Sequence, residues 1–222
     1  MRHECKFPLT AADAAVLRTR LPLLLPYDPY HIDTCGRYEI TSLYFDTPNE
    51  KALREKESGI AQREKYRLRR YGQDTDNILL ERKYKSGDLV GKEAAALSRE
   101  QCERLLQGDT AWMIESREPF IRAFYMKWRL QCLRPRSLVV YQREAYAMEN
   151  GGIRVTLDSD IRTGVRCTDF LAEAPALVPV RSGFCLLEVK YGRFLPQTIR
   201  GMIQCGSRME SFSKFEAAHI YD

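Results

Sequence analysis

The feature that most constrains this chain is a repeated alternation of charged with apolar or aromatic residues in segments predicted to be β-strands. In residues 63–71 cations stand at every second position, namely Arg63, Lys65, Arg67 and Arg69. Tyr66 and Leu68 lie between them. Because successive side chains of a strand point to opposite faces, the cations share one surface. The same alternation recurs in segments whose charged residues are Arg2, Glu4 and Lys6, then Glu81, Lys83 and Lys85, and then Glu188 and Lys190.

Such rows of like charge are costly unless water, counter-charges or a polyanion meet them. One explanation is an exposed sheet face whose charges pair across strands, which is common for any single strand. Here the pattern extends over many strands, and the cations outnumber the carboxylates at these positions. Ser, Thr and Gln, which an exposed face would carry, are scarce there. The pattern therefore favours a binding surface for a heavily phosphorylated ligand.

The bulk composition is typical of a soluble globular protein, with 222 residues, 44% hydrophobic and 29% charged. The net charge of +5 is modest, so the basic character is local and does not indicate general nucleic-acid binding. The first residues are not followed by an apolar run, and the apolar stretch 21–26 is too short to span a bilayer. We therefore expect a cytoplasmic protein without a signal peptide or a transmembrane segment.

The seven cysteines are scattered and include no C-x-x-C pair. Neither a zinc site nor a disulfide framework is indicated. Cys5 and Cys185 fall on the strand faces opposite the charges, where a small core residue is expected.

The chain has no internal repeat or Gly/Ser linker, which predicts one domain over residues 1–222. Strands are predicted at residues 3–7, 37–45, 64–71, 78–85, 89–95, 137–148, 153–157 and 184–191. Helices are predicted at 11–20 after the N-cap Thr10, from Thr47 to 56, at 99–106 after a Ser98–Gln101 capping box, within 110–130, and at 196–204. Strands, helices and then strands again predict an α+β fold with a largely antiparallel sheet and helices packed outside. A charged face on strand after strand predicts closure into a β-barrel with a polar interior.

Alternation through the predicted strands gives one inward set of residues. Its members are Arg2, Glu4, Lys6, Ser42, Tyr44, Arg63, Lys65, Arg67, Arg69, Glu81, Lys83, Lys85, Lys92, Tyr141, Arg143, Arg154, Thr156, Asp158, Glu188 and Lys190, with Lys214 added from the C-terminal segment. Arginine binds phosphate oxygens in a bidentate manner and lysine acts as a point charge. Carboxylates among the cations can hold a divalent metal that bridges phosphate oxygens. Phosphoryl transfer needs mainly positioning and charge neutralisation, which this set could supply.

Short motifs within these segments come in a recognisable order. They are R-x-E-x-K at residues 2–6, S-L-Y-F-D-T at 42–47, K-Y-R-L-R-R-Y-G at 65–72, L-L-E-R-K-Y-K at 79–85, Y-Q-R-E-A-Y at 141–146, R-V-T-L-D at 154–158, L-L-E-V-K-Y at 186–191 and S-K-F at 213–215. Together they resemble the polyphosphate polymerase (VTC) domain of the triphosphate tunnel metalloenzyme (CYTH-like) superfamily.

The resemblance implies a closed eight-stranded antiparallel tunnel that binds a nucleoside triphosphate or polyphosphate with a divalent metal, manganese or magnesium. The residues expected to act in catalysis are Lys6, Arg67, Arg69, Lys83, Arg143 and Glu188. Those expected to bind substrate are Arg2, Tyr44, Lys65, Lys85, Lys92, Tyr141, Arg154, Lys190, Ser213 and Lys214. The expected metal ligands are Glu188, Glu4, Glu81 and Asp158.

The function implied is metal-dependent transfer of the terminal phosphoryl group of ATP to a polyphosphate chain. Arg2 stands where the triphosphatase branch has the first glutamate of E-x-E-x-K, which favours the polymerase branch. Two alternatives stay open: a tunnel triphosphatase or polyphosphatase with water as acceptor, and a non-catalytic module that binds polyphosphate or nucleotide. The sequence contains no Cys/His or Ser/His constellation that would suggest a covalent mechanism. The expected partners are ATP, polyphosphate or another triphosphate, with no specific nucleic-acid sequence.

Overall fold

The computed structural model describes residues 3–28, 36–87, 89–148 and 152–219. It has a mixed α+β fold, as predicted, built on one sheet with antiparallel pairing. The strands are β1 (His3–Leu9), β2 (Arg37–Asp46), β3 (Gln62–Tyr71), β4 (Ile78–Ser86), β5 (Leu89–Leu97), β6 (Arg134–Met148), β7 (Ile153–Gly164), β8 (Leu177–Pro179) and β9 (Cys185–Tyr191). The helices are α1 (Ala11–Arg20), α2 (Lys51–Glu57), α3 (Arg99–Leu106), α4 (Pro119–Gln131), α5 (Gln197–Met202) and α6 (Lys214–His219).

The strand order of the sheet is β1-β9-β7-β6-β2-β3-β4-β5, and the short β8 pairs with β7. β1 and β5 are the two ends of this path. Within the described residues no ladder of hydrogen bonds joins them, so closure of the predicted eight-stranded barrel is not confirmed. β8 was not predicted, because three residues are too few for a period-two pattern to emerge.

Helix capping follows the sequence at two sites. The Asp13 amide donates to the Thr10 hydroxyl at 3.1 Å, and the Asp13 carboxylate accepts from the Thr10 amide. The Gln101 amide donates to the Ser98 hydroxyl at 3.1 Å, while the Gln101 side-chain oxygen accepts from the Ser98 amide. These reciprocal bonds satisfy amides that have no partner inside the helix, which is why α1 and α3 begin where they do.

The largest differences from the predicted boundaries concern three elements. The region 110–130 contains a 3₁₀ turn, Ala111–Met113, and only then α4, which starts at Pro119 because proline suits the first helical turn. α2 starts at Lys51, later than predicted. β7 continues to Gly164 and not to residue 157; Asp160 has a left-handed backbone (φ 48°), which breaks the alternation that would reveal this extension.

The chain divides into two compact units. The first comprises Met1–Ile40, Val140–Arg162 and Pro179–Ala217, and the second comprises Thr41–Val139, Thr163–Val178 and Ala218–Asp222. In the part of the chain described, no helix is long and apolar enough to cross a membrane.

Each unit has its own apolar core, to which one face of its strands contributes. In the first unit, α1 and α5 pack with residues of β7 and β9, namely Val155, Leu157, Leu187 and Val189. In the second unit, α3 and α4 pack with residues of β3, β4 and β5, namely Tyr66, Leu68, Leu80, Ala95 and Leu97. Burial of one such leucine stabilises the fold by about 2 kcal/mol. The alternate residues of the same strands point away from these cores and form the charged faces.

Candidate functional site

A charged surface lies on β1, β9 and β7 of the first unit. Its residues, here called the Glu188 surface, are Glu4, Lys6, Arg154, Thr156, Asp158, Glu188 and Lys190. Two rows cross the three strands: Lys6, Glu188 and Thr156 are in register, and Glu4, Lys190 and Arg154 form the next row. The register brings residues from positions 4, 156 and 188 together, which alternation alone could not specify.

Glu188 is a buried carboxylate with several cations at some distance. Its oxygens lie 3.5 Å from Lys190 Nζ, 3.7 Å from Arg143 Nη2 and 3.8 Å from Lys6 Nζ. Burial alone would raise the pKa of Glu188. A side-chain hydrogen bond with Glu4, together with the charges of Lys190 and Lys6, instead holds that pKa well below its usual value. Lys6 Nζ also lies 3.4 Å from the Glu4 carboxylate, so one lysine is within ion-pair distance of both carboxyl groups.

Asp158 is a fully buried carboxylate whose contacts are short. Arg143 donates to it through Nε at 2.6 Å and Nη2 at 2.7 Å, and Lys214 Nζ donates at 2.6 Å. Burial would raise the pKa of Asp158, but Arg143 and Lys214 lower it. The ionised carboxylate therefore fixes the positions of both cations.

The aromatic ring of Tyr141 contacts the same two cations, Arg143 and Lys214. The Arg143 guanidinium carbon lies 5.3 Å from the ring centroid, and Lys214 Nζ lies 4.6 Å from it. Both distances suit cation–π attraction. Tyr141 is buried, so its ring is a fixed contact for both cations.

Arg154 and Lys6 also have partners outside the predicted inward set of residues. Arg154 Nη2 lies 2.9 Å from the Asp28 carboxylate and donates to the Tyr38 hydroxyl at 3.3 Å. Lys6 Nζ donates to the carbonyl oxygen of Phe212 at 3.1 Å. Asp28 was not predicted, because it lies in a proline-rich loop with no periodic pattern. Tyr38 lies on the same face of β2 as Tyr44, so continuing the alternation back to the start of the strand would have found it.

A second charged surface lies on β3, β4 and β5 of the second unit. Its residues, here called the Glu81 surface, are Arg63, Lys65, Arg67, Arg69, Glu81, Lys83, Lys85 and Lys92. Lys65, Lys83 and Lys92 are directly opposite one another on three neighbouring strands. Arg63 is opposite Lys85 in the same ladder. Like charges directly opposite are destabilising unless counter-charges meet them, as Glu81 does for Lys92.

Glu81 is the buried carboxylate of this surface, and its ion pairs are short. Arg67 Nη2 lies 2.7 Å from it, Lys92 is also in direct contact, and Arg69 Nε lies at 3.7 Å. Burial would raise the pKa of Glu81, but these three cations lower it to about 2. Arg67 also donates to the Tyr44 hydroxyl at 3.2 Å.

The structure thus distributes the predicted site residues over two surfaces. Those in the first unit are Glu4, Lys6, Tyr141, Arg143, Arg154, Asp158, Glu188, Lys190, Ser213 and Lys214. Those in the second unit are Tyr44, Lys65, Arg67, Arg69, Glu81, Lys83, Lys85 and Lys92. Ser213 accepts a hydrogen bond from the Glu216 amide at 3.4 Å, so it helps to begin α6, which carries Lys214. Arg2 lies outside the described residues.

The acidic residues differ in how well they suit a metal ion. Among the described residues there is no group of three or more His, Cys, Asp or Glu side chains arranged around a common point. Asp158 and Glu81 direct their oxygens to cationic side chains, so their role as metal ligands stays a prediction that the geometry does not favour. Glu4 and Glu188 are adjacent carboxyls, and Mg²⁺ sites often combine one or two carboxylates with substrate phosphate oxygens. The oxygen atoms of these two residues suit a divalent cation of that kind, which would compete with Lys6 Nζ, 3.4 Å from Glu4 and 3.8 Å from Glu188.

The family model of the VTC domain matches residues 1–220 of this chain. A protein described as a "putative adenylate cyclase" from Vibrio parahaemolyticus shares 12% identity at a TM-score of 0.53, covering 97% of this chain and 96% of that one. A protein of the same description from Bacillus halodurans shares 12% identity at a TM-score of 0.51, with 86% and 80% covered.

A protein from Pyrococcus horikoshii shares 14% identity at a TM-score of 0.51, covering 96% of this chain and 93% of that one. At such identities the likeness to the three solved structures concerns the fold alone. Comparison with curated proteins gives no match.

Proposed function

Because this chain belongs to the VTC domain family, we propose that it transfers the terminal phosphoryl group of ATP to a polyphosphate chain. The proposal includes the closed tunnel expected for the family, a single functional domain over residues 1–222, a divalent metal and a cytoplasmic location. The substrates would bind to the Glu188 and Glu81 surfaces through their phosphate oxygens.

The observation that carries the proposal is the row formed by Lys65, Lys83 and Lys92. These lysines are directly opposite one another on adjacent strands, a register that ordinary sheets avoid because like charges repel. Arg67 and Arg69 continue the positive surface on β3. A polyanion would turn this repulsion into binding free energy, whereas a neutral or cationic ligand would not.

The reaction needs no side-chain nucleophile. A terminal oxygen of the acceptor polyphosphate attacks the γ-phosphorus of ATP, the bond from that phosphorus to the β,γ-bridging oxygen breaks, and ADP leaves with the electron pair. The transferred group gains a bond to the acceptor, which lengthens by one phosphate. Catalysis then consists of alignment and charge neutralisation.

Several residues of this chain suit that task. Asp158 engages Nε and Nη2 of Arg143, so we expect Nη1 to meet a phosphoryl oxygen. Lys214 is held at its side by the same carboxylate. In the second unit, Glu81 orients Arg67 in a similar way. Guanidinium groups fixed in advance need little reorganisation when charge develops on the phosphoryl oxygens.

Glu4 and Glu188 would hold the divalent metal. When bound, manganese or magnesium would neutralise charge on the phosphate oxygens. The short ion pairs of Asp158 and Glu81 favour a role in positioning cations for those two carboxylates.

The test is incubation of the purified protein with ATP and Mn²⁺, followed by gel analysis of chain length and quantification of nucleotide products. We expect a ladder of polyphosphate with one ADP formed for each phosphate added. Orthophosphate and ADP without chains would identify the hydrolase alternative and overturn the polymerase. Pyrophosphate with cyclic AMP would instead indicate the reaction for which two of the structural neighbours are described. Binding of ATP without any product would identify a binding module.

A further inference from the structure

Thr156 has a buried hydroxyl for which the described residues provide no hydrogen-bond partner. The residue is only 3% exposed. Buried hydroxyls are nearly always hydrogen-bonded, and an unpaired one destabilises the folded state. The Thr156 hydroxyl therefore requires a physical explanation.

The position of Thr156 in the sheet supplies one. Thr156 is directly opposite Glu188 in the β7–β9 ladder, which places their Cβ atoms about 5 Å apart. Its neighbours along the strand, Val155 and Leu157, are in the apolar core. By alternation the Thr156 side chain is on the charged face, beside the Glu188 carboxylate.

The adjacent oxygens form a set that suits a hard cation. β9, which carries Glu188, lies between β1, which carries Glu4, and β7, which carries Thr156. The other nearby carboxylate, Asp158, already accepts three short hydrogen bonds. The ion pairs of Glu188 are longer, at 3.5–3.8 Å, so its oxygens make no short bond with Lys6, Arg143 or Lys190.

We propose that the Thr156 hydroxyl is a third oxygen donor to the divalent cation held by Glu4 and Glu188, an inference that rests on the proposed function. Mg²⁺ and Mn²⁺ prefer oxygen ligands, and a hydroxyl is among them. A neutral oxygen adds a ligand without adding a negative charge that would repel the phosphates. This explains why a threonine, and not a further carboxylate, is opposite Glu188.

Thr41 provides a matched control. Its hydroxyl is also buried and without a partner among the described residues, and the residue is 1% exposed. Thr41 has the parity of Leu43 and Phe45 on β2, both of which are in the apolar core of the second unit. It is therefore an orphaned hydroxyl on the apolar face, where no cation is expected.

The experiment compares Thr156→Val, Thr156→Ser and Thr41→Val with the wild type. Two quantities are measured on each full-length protein: the midpoint of thermal unfolding without metal, and the Mn²⁺ affinity by electron paramagnetic resonance, with and without tripolyphosphate. Both valine variants should unfold at a temperature equal to or above the wild type, because each loses an unpaired polar group. Only Thr156→Val should bind Mn²⁺ more weakly, by about tenfold. Thr156→Ser keeps the hydroxyl and should bind close to the wild-type value.

Equal Mn²⁺ affinity in Thr156→Val and the wild type would overturn the role of Thr156 and leave the proposed function intact. Absence of Mn²⁺ binding by the wild type, with or without tripolyphosphate, would overturn the cation site itself. If Thr156→Val fails to fold, Thr156→Ala is measured in its place, with the same weakening expected. A similar weakening in Thr41→Val would also contradict the proposal, because it would show that the effect is not local to Glu188.

Discussion

Glu188 and Glu81 are buried glutamates on the charged faces of two different strand groups, and their environments are opposite. Glu81 is in contact with Arg67 at 2.7 Å and with Lys92. Glu188 has three cations near it as well, but at 3.5–3.8 Å, and it shares a side-chain hydrogen bond with the carboxyl of Glu4. The number of surrounding cations is similar, while the distances and the second carboxyl differ.

Cross-strand register decides whether a buried carboxylate is held in short ion pairs or remains able to bind a ligand. Glu81 is opposite Arg67, whose guanidinium reaches its oxygens directly. Glu188 is opposite Lys6 on one side, whose Nζ is 3.8 Å from its carboxylate, and opposite the neutral Thr156 on the other. A carboxylate in short ion pairs serves as a counter-ion, whereas two adjacent carboxyls whose ion pairs are longer remain able to bind a cation from solution. We therefore expect a structural role for Glu81 and a ligand-binding role for Glu188.

The largest expected effect is on turnover in Glu188→Gln. The substitution keeps size and hydrogen bonding but removes the charge that a divalent cation needs, so phosphoryl transfer should fall by about 100- to 1,000-fold. ATP should still bind to the cationic residues. The measurement is a manganese titration of phosphoryl transfer beside metal-free ATP binding.

Glu144→Gln is the matched control in the same unit. Glu144 is equally buried, but it pairs with Arg18 and Arg37 and is not on the Glu188 surface. Its substitution should leave the manganese dependence unchanged. Near-normal turnover of Glu188→Gln at ordinary manganese would exclude the metal role of Glu188.

The next effect is on stability in Glu81→Gln. Removing one partner of a buried ion-pair group leaves uncompensated charges, here Arg67, Arg69 and Lys92, and the free energy of unfolding should fall by about 3 kcal/mol. Denaturant unfolding measures it. Glu93→Gln removes a largely exposed partner of Arg82 and should cost less than about 1 kcal/mol. Equal stability of Glu81→Gln and the wild type would contradict the counter-ion role.

The comparison predicts a pH dependence as well. The pKa of Glu81 is lowered from 4.5 to about 2, so the ionised carboxylate stabilises the folded state. That contribution is complete above pH 4.5 and is lost as the pH falls towards 2, and it amounts to about 3 kcal/mol. Asp158 and Glu188 act in the same direction, so the relevant quantity is the difference between the wild type and Glu81→Gln. This difference should shrink between pH 4.5 and 2; a constant difference would show that Glu81 does not titrate as described.

Much of this fold was predictable because local signals agree with it. Period-two alternation gave the faces of β3, and the structure confirms Tyr66 and Leu68 as core residues. The caps at Thr10 and Ser98 gave the starts of two helices, because the relevant hydrogen bonds span only three residues. The order of the motifs gave the family, which the match over residues 1–220 confirms.

The arrangement of the surfaces was less predictable, because alternation specifies a face and not a register. Nothing in the sequence states that Lys65 is opposite Lys83, or that Thr156 is opposite Glu188. Asp28, which pairs with Arg154, comes from a loop without any periodic pattern. Contacts of this kind depend on residues far apart in the chain, and the predicted roles of the individual site residues stay predictions.

The smallest expected effect is on ligand affinity in Lys83→Ala. The variant should bind tripolyphosphate more weakly by about 2 kcal/mol, as expected for loss of a charge-assisted hydrogen bond. Its stability without ligand should be equal to or above that of the wild type, because Lys65 and Lys92 lose a like-charged neighbour. Isothermal titration and thermal unfolding measure the two quantities.

Lys127→Ala serves as the control for that variant. Lys127 pairs with Glu64 at 2.7 Å, on the side of β3 opposite the Glu81 surface. Its loss should leave tripolyphosphate affinity unchanged. Unchanged affinity in Lys83→Ala together with a clear loss of stability would identify the lysine row as part of a structural charge network.

The most direct test of the contrast between the two glutamates is calorimetric titration of Mn²⁺, in the presence of tripolyphosphate, into the wild type, Glu188→Gln and Glu81→Gln. Our account predicts that Glu188→Gln loses Mn²⁺ binding while Glu81→Gln, measured at a temperature where it is folded, retains the wild-type affinity. Retained binding in Glu188→Gln with lost binding in Glu81→Gln would contradict the assignment of the two carboxylates.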